Sequence, residues 1–364
     1  MKRLLCIVSS MDRGGAETFL MKVYRAIDKK KYQLDFCVNK ENGFYDEEIR
    51  KMGGRIFVIP PKSHNPFKSF KAIKKIVKDN NYKYVLRTSQ QSLATIDLIA
   101  AKKGGADVLI YRSSNAGMTG GFIKRFINKL FGFLPRVVPN IKIAPSVKAA
   151  TFVFGKKAVK NNEILILNNG LDYNIFKYDE KKRIQKRKEL KIEDKTILYG
   201  HVGRFNSQKN HLFLIDVFNE ICKRQKNSML LLIGEGEEKE KVIKYINELN
   251  LSNKVIILEP QANVQDYYMA MDLFVFPSLF EGMPNVIIEA QATGLRCILS
   301  DTITEEADVS GLLKYISLNK SAIEWADEIL SNNNYKRVDT YKSFKDNGYL
   351  IDDVVNVFKD NILK

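Results

Sequence analysis

Cysteine and histidine are scarce in this chain of 364 residues, at four and three. Cys6, Cys37, Cys222 and Cys297 lie far apart. They form no Cys-x-x-Cys pair and no metal-ligand spacing, which excludes a zinc ribbon, a redox dithiol and a disulfide framework. They read as reduced core thiols of a cytosolic protein. His64, His201 and His211 suggest no metal cluster either. No run of about 18 apolar residues occurs, so no membrane-spanning helix is expected. Met1-Lys2-Arg3 followed by Leu4 to Val8 has a signal peptide's charge but too short an apolar run. It leads into Asp12-Arg13-Gly14-Gly15, so a buried first strand is the better reading.

The apolar content, 45%, suits well-filled cores rather than a disordered polymer, and the length allows two ordinary domains. Net charge is +17, unevenly spread: residues 1–170 hold 32 Lys+Arg and 12 Asp+Glu, and the remainder holds 27 and 30. The first part is therefore at +20 and the second at −3. A generally Lys-rich composition accounts for the abundance of lysine but not for this polarity. A basic half suits a polyanion, either nucleic acid or an acidic lipid surface. Nucleic acid is disfavoured, because the chain shows no aromatic-basic motif and no recognition helix.

Near-continuous apolar segments alternate with helical patterns along the whole chain. Strands are expected at 4–10, 33–38, 55–59, 83–88, 107–112, 141–144 and 163–167, and again at 196–202, 228–233, 254–258, 272–276, 296–299 and 312–316. Such strands are buried on both faces, which indicates parallel sheets covered by helices. The fold class is therefore α/β, with two Rossmann-like doubly wound domains. Residues 1–170 form the first and 171–335 the second. Residues 336–364 end in an amphipathic helix, with Leu350, Val354, Val357, Phe358 and Ile362 on one face, expected to pack back on the first domain.

Open sheets of this kind place ligands at the carboxyl ends of their strands. If the two sheets face each other, those ends line one cleft. Three loops of the second domain qualify. Gly203-Arg204-Phe205-Asn206-Ser207-Gln208-Lys209 sets a forked donor and a point charge before a helix, able to hold a diphosphate. Gly234-Glu235-Gly236 permits close backbone approach. Phe276-Pro277-Ser278-Leu279-Phe280-Glu281-Gly282-Met283-Pro284-Asn285 leads into a helix with Pro284 in its first turn. That helix start attracts anions, and it is framed by Glu281 and by Glu289 about two turns on. A carboxylate in the apolar run at 286–290 is costly unless hydrogen-bonded. Singly each loop has a bland explanation; their order, each at a strand end, does not.

These motifs resemble those of the retaining GT-B glycosyltransferases of family four, most closely the bacterial capsular and exopolysaccharide enzymes. Glu281 and Glu289 match the family's paired glutamates, Gly203-Arg204 and Lys209 its phosphate-binding residues, and Gly14-Gly15-Ala16-Glu17 its glycine-rich acceptor-side loop. The resemblance implies transfer of a sugar from a nucleoside diphosphate, UDP, to a saccharide or lipid-linked saccharide in surface polysaccharide synthesis. Arg204 and Lys209 would stabilise the leaving diphosphate. Glu281 would contact the sugar. Backbone groups of Gly282, Met283, Pro284 and Asn285 would hold sugar hydroxyls or the β-phosphate. Glu289 would take the ribose, and Glu235 and Val264 would lie near the base. The resemblance implies no metal and no cofactor besides the donor, which fits the lack of an Asp-x-Asp motif. Where many relatives carry a histidine after the fifth strand, this chain has Ser113-Ser114-Asn115, so Ser114 or Asn115 would supply that contact. A nucleotide-sugar epimerase of the same fold would need acid–base groups that the scarcity of histidine disfavours. A non-catalytic assembly protein would have no use for the Arg/Lys/Glu set.

Phe122, Ile123, Phe126, Ile127, Leu130, Phe131 and Leu134 form an apolar stripe beside Lys124, Arg125 and Lys129. A core helix is the favoured reading. The alternative is an interfacial helix on anionic lipid at the inner face of the cytoplasmic membrane.

Overall fold

The computed structural model describes residues 1–12, 14–114, 122–331 and 336–363. They divide into two compact units, one of residues 1–171 with 348–364 and one of residues 172–347.

The first unit is built on seven parallel strands: β1 (Lys2–Ile7), β2 (Tyr32–Val38), β3 (Ile56–Val58), β4 (Tyr84–Thr88), β5 (Val108–Arg112), β6 (Ile141–Ala144) and β7 (Leu165–Ile166). Their order is β3-β2-β1-β4-β5-β6-β7, with every pairing parallel. Reversal of direction at β1 is what a doubly wound sheet requires. Alternate residues of β1 feed two cores: Leu4 and Cys6 face one layer, Leu5 and Ile7 the other. All are essentially water-free, which explains the unbroken apolar run.

The tail belongs partly to each unit. Arg337 donates to the carbonyls of Tyr268, Met269, Met271 and Thr293 in the second unit. The chain enters the first unit at Gly348. There Leu171 N–H donates to Tyr349 O and Ile351 N–H to Leu171 O, both at 3.0 Å. The helix Ile351–Ile362 then packs Val354, Phe358 and Ile362 into the core that holds helix Gly15–Ala26, with Phe19 and Phe358 rings 6.4 Å apart.

The second unit repeats the design with β8 (Ile197–Val202), β9 (Ser228–Ile233), β10 (Val255–Leu258), β11 (Leu273–Phe276), β12 (Cys297–Ser300) and β13 (Leu313–Ile316). Their order is β10-β9-β8-β11-β12-β13. This order makes β9, β8 and β11 neighbours, so the three loops singled out in the sequence leave adjacent strands. All four cysteines are free thiols, and Cys6, Cys37 and Cys297 are buried.

Of the stripe's described side chains, Phe126 and Leu130 are exposed and Ile127, Phe131 and Leu134 are half-buried, so none of them is a fully buried core residue. In the helix Phe122–Leu130 and the residues after it, Phe126, Leu130, Phe133 and Val137 are exposed. Asn128 instead faces the body: its Oδ1 accepts from Ser92 N–H at 2.6 Å, and its carbonyl from Ser92 Oγ at 2.9 Å. A polar anchor thus ties this helix to the body. The side chains of Phe122, Ile123 and Lys124 lie outside the described residues.

Candidate active site

The loop after β8 is the middle piece of the second unit's carboxyl edge, gripped from both sides. Gly203 N–H donates to Ile233 O at 3.0 Å, and Phe205 N–H to Glu235 O at 2.8 Å. Glycine is required where the neighbouring loop crosses it. A Cβ on Gly234 would lie 2.0 Å from Gly203 O, and one on Gly236 (φ +151°) 2.3 Å from Phe205 O. On the other side Leu279 N–H donates to Gln208 O at 2.8 Å, and Gln208 Nε2 to Phe280 O at 2.9 Å. Asn210, in the left-handed region at φ +58°, donates from Nδ2 to Pro277 O at 3.2 Å. Ser278 O in turn accepts from Ser300 Oγ and Thr302 Oγ1. The segment holding Glu281 is thus held by backbone, side-chain amide and hydroxyl bonds.

Within this frame Lys209 Nζ donates to Glu281 Oε1 at 2.7 Å. Both side chains are largely withdrawn from solvent, at 15% and 9% exposure. The ammonium also lies 4.4 Å from the centroid of Phe276, whose π face attracts it. Arg204 is unlike its partner cation: 71% exposed, it meets Glu237 Oε2 only loosely, at 3.6 Å. One cation is therefore prepositioned and the other is free to swing.

Beneath Lys209 is a stack that the sequence did not disclose. His211 lies parallel to Phe205 at 4.3 Å and edge-on to His201 at 4.7 Å. His201 stacks on Phe274 and Phe276, with Nδ1 2.9 Å from Val275 O. Burial, then the Lys209 charge, lowers the His211 pKa to about 4. Burial first, then His211, pushes His201 well below the ordinary value. Two neutral imidazoles add no competing cation beside Lys209. The one available signal was Asn210-His211 directly after Lys209, and nothing in that spacing says the ring turns inward.

The remaining residues expected on the donor side lie in the same unit. Gly282, Met283 and Pro284 are buried, Asn285 is half-buried and Glu235 is exposed. Pro284 does not occupy the first helical turn as expected. It caps the helix Asn285–Ala292 with extended torsions, φ −76° and ψ 108°, a position where its missing N–H is equally harmless. Glu289 is half-buried and accepts a long bond, 3.4 Å, from Tyr268 Oη. Val264, half-buried, opens the helix Val264–Ala270.

In the first unit Gly14 caps and Gly15 begins the helix Gly15–Ala26. The Glu17 carboxylate folds over this turn, so that a Cβ on Gly14 would meet its Oε2 at 2.2 Å. Burial raises the Glu17 pKa, against the pull of Arg87 and Arg112. Arg112, almost fully buried, lies 3.8 Å over the Phe19 ring and donates to Asn169 Oδ1. Ser114 Oγ donates to Gln90 Oε1 at 2.7 Å. Asn115 lies outside the described residues.

Comparison with known proteins gives the family and the fold. The family model described as glycosyl transferases group 1 matches residues 182–350. EpsF of Bacillus subtilis (strain 168), named as a glycosyltransferase, is 32% identical over 333 residues, covering 90% of this chain and 87% of EpsF. The Escherichia coli UDP-Gal:alpha-D-GlcNAc-diphosphoundecaprenol alpha-1,3-galactosyltransferase is 23% identical over 302 residues, 79% of this chain and 76% of that one. Among solved structures, Anabaena HepE in complex with UDP and glucose superposes with a TM-score of 0.81 at 16% identity, covering both chains completely. On this relationship, and on two parallel-sheet α/β units, the chain belongs to the glycosyl transferases group 1 family and has the GT-B fold.

Proposed function

We propose that this chain moves a hexose-type sugar from a UDP-sugar to a saccharide or lipid-linked saccharide acceptor, with retention and without a bound metal, in surface polysaccharide synthesis. The observation that carries the reading is the buried Lys209–Glu281 pair beside an exposed Arg204 on the loop after β8. As the bond from the anomeric carbon to the diphosphate oxygen breaks, the electron pair stays on that oxygen. Lys209 and Arg204 would offset the growing charge, the task a metal performs elsewhere. Glu281 can accept hydrogen bonds from sugar hydroxyls, and Glu289 from a ribose. Two relatives support the donor and acceptor classes: HepE was solved with UDP and glucose, and the E. coli enzyme's name specifies UDP-Gal and a diphosphoundecaprenol-linked sugar.

The test is thermal. UDP should raise the melting temperature, and Arg204→Ala should abolish that rise; an undiminished rise in the variant would remove Arg204 from the phosphate site. A panel of nucleotide sugars, followed by hydrolysis or transfer with and without chelator, identifies the donor and tests metal independence.

A lipid-linked acceptor also gives a role to the first unit's basic surface. Phe126, Leu130, Phe133 and Val137 are exposed with Arg125, Lys129 and Arg136 exposed among them. That combination suits peripheral attachment to anionic lipid on the cytoplasmic face.

A further inference from the structure

Two short helices of the second unit carry residues expected at the nucleoside. Val264, expected near the base, opens the helix Val264–Ala270, and Glu289, expected at the ribose, lies on the helix Asn285–Ala292. The bond between them from Tyr268 Oη to Glu289 Oε2 is long, at 3.4 Å, and holds their spacing weakly. Their C-terminal ends are tied more firmly, by one side chain. Arg337 Nη2 donates to Tyr268 O at 2.7 Å, Met269 O at 3.0 Å and Met271 O at 2.5 Å, at the end of the first helix. Its Nη1 donates to Thr293 O at 3.0 Å and Thr293 Oγ1 at 3.1 Å, at the end of the second. Resting on the nucleotide-sugar reading, we infer that Arg337 is a positioning residue: by bridging these two helix ends it sets Glu289 against Val264, and with it the hold on the ribose.

The reason lies in how helices end. Each leaves its last four carbonyls without an intrahelical partner and carries roughly half a negative charge there. Two such ends repel each other, and a cation shared between them reverses the sign. The acceptors of Arg337 are carbonyl oxygens and one hydroxyl rather than a carboxylate. Burial, then the Arg183 charge, lowers its pKa to about 10, which leaves it charged at neutral pH. A planar fork reaches both helix ends at once, which a single ammonium does not.

The two ends differ in what remains once Arg337 is removed. The helix Val264–Ala270 keeps Arg183, on the carbonyls of Met269, Ala270 and Met271, and Arg187, on Ala270 O. Both arginines also pair with Asp272, directly before β11. The helix Asn285–Ala292 keeps a hydroxyl in place of a cation, Thr340 Oγ1 on Gln291 O at 3.0 Å. Loss of Arg337 therefore frees the helix that carries Glu289 from the one that carries Val264. The loop with Arg204 and Lys209 keeps its own bonds to Ile233, Glu235 and Leu279. The effect belongs to the ribose, not to the phosphates.

Calorimetric titration with UDP and with dideoxyuridine diphosphate, which lacks both ribose hydroxyls, tests the inference well below every melting temperature. The wild type should prefer UDP about tenfold, as expected for hydroxyls bonded to a carboxylate. Arg337→Met should reduce that preference to about twofold while its affinity for the dideoxy compound stays near the wild-type value. Arg337→Lys keeps the charge without the fork; it should recover much of the melting temperature but not the preference, and serves if the methionine variant does not fold. Arg183→Met is the structural control: it loses the Asp272 pair and should melt earlier, yet keep the full preference, because Arg337 still bridges the helices. An undiminished preference in the folded Arg337 variants overturns the inference, as does an equal loss in Arg183→Met, which would mean general loosening. A wild type that binds both compounds equally overturns it together with the ribose role of Glu289 and leaves the nucleotide reading standing. A wild type that binds neither overturns that reading as well.

Discussion

Arg204 and Lys209 carry the same charge five positions apart and respond to removal in opposite ways. Arg204 makes one loose, exposed ion pair with Glu237, a kind worth about 0–1 kcal/mol. Arg204→Ala should therefore leave unfolding by denaturant nearly unchanged while it removes the response to UDP. Lys209→Ala strands the Glu281 carboxylate, 8% exposed, and should cost about 3–5 kcal/mol. Equal stability of the two variants would mean that the pair is not held apart from water. A third residue tests the frame rather than the charges. Gly234→Ala would drive a methyl into Gly203 O at 2.0 Å. It should lower both the melting temperature and UDP affinity, because the loop that moves presents Arg204. These charged and glycine positions were legible in sequence because their chemistry is local: a cation before a helix, a glycine after a strand. His201 and His211 were not. Their meaning depends on Phe205, Phe274 and Phe276, which only the pairing of β8 with β11 brings around them.

At the scale of elements, that stack ties β8 to the helix His211–Arg224 and makes its packing sensitive to acid. An unfolded histidine titrates near 6.5, whereas folded His211 titrates at about 4 and His201 well below its ordinary value. The unfolded chain thus binds more protons than the folded one between these values. Stability is fully present above about pH 6.5 and is lost as pH falls toward 4. His211→Phe, which keeps a ring against Phe205, should flatten the fall in melting temperature across that window. Carboxylates such as Glu328, lowered to about 2 by Lys314 and Lys320, titrate alike in both proteins, so the difference between them isolates the histidine. Parallel melting curves would mean that His211 is solvated or charged in the folded state. The helix Phe122–Leu130 shows where pattern reading reaches its end. Apolar spacing identified the stripe, but the same period serves a core-facing and a lipid-facing helix. The side that turns inward is decided by Asn128 and Ser92, which no periodicity reports. Phe126→Glu with Leu130→Glu should abolish sedimentation with anionic vesicles at low salt and leave the melting temperature alone. Undiminished sedimentation would exclude this face from membrane docking.

The whole chain is organised by a tail that serves two units in turn, and here composition said least. The sequence reading ends the second domain at residue 335, whereas Arg337 and Thr340 still bond second-unit carbonyls and the crossing comes at Gly348. The apolar face of the last helix was visible in its spacing; its partner, the helix carrying Phe19, lies more than 330 positions away and could only be guessed. Phe358 is fully buried against that helix, so Phe358→Ala should cost about 3–5 kcal/mol, and all of it in the first unit. The two units can be followed separately, because the single tryptophan, Trp325, is buried in the second unit's core. Far-UV circular dichroism of the variant should show an early loss of structure while the tryptophan emission keeps its wild-type midpoint. A chain ending at Asn347 should go further, losing the first unit's cooperative transition and retaining the Trp325 signal. If the tryptophan midpoint falls in step with the dichroism, the units do not unfold independently, and the tail stabilises the molecule as one cooperative block.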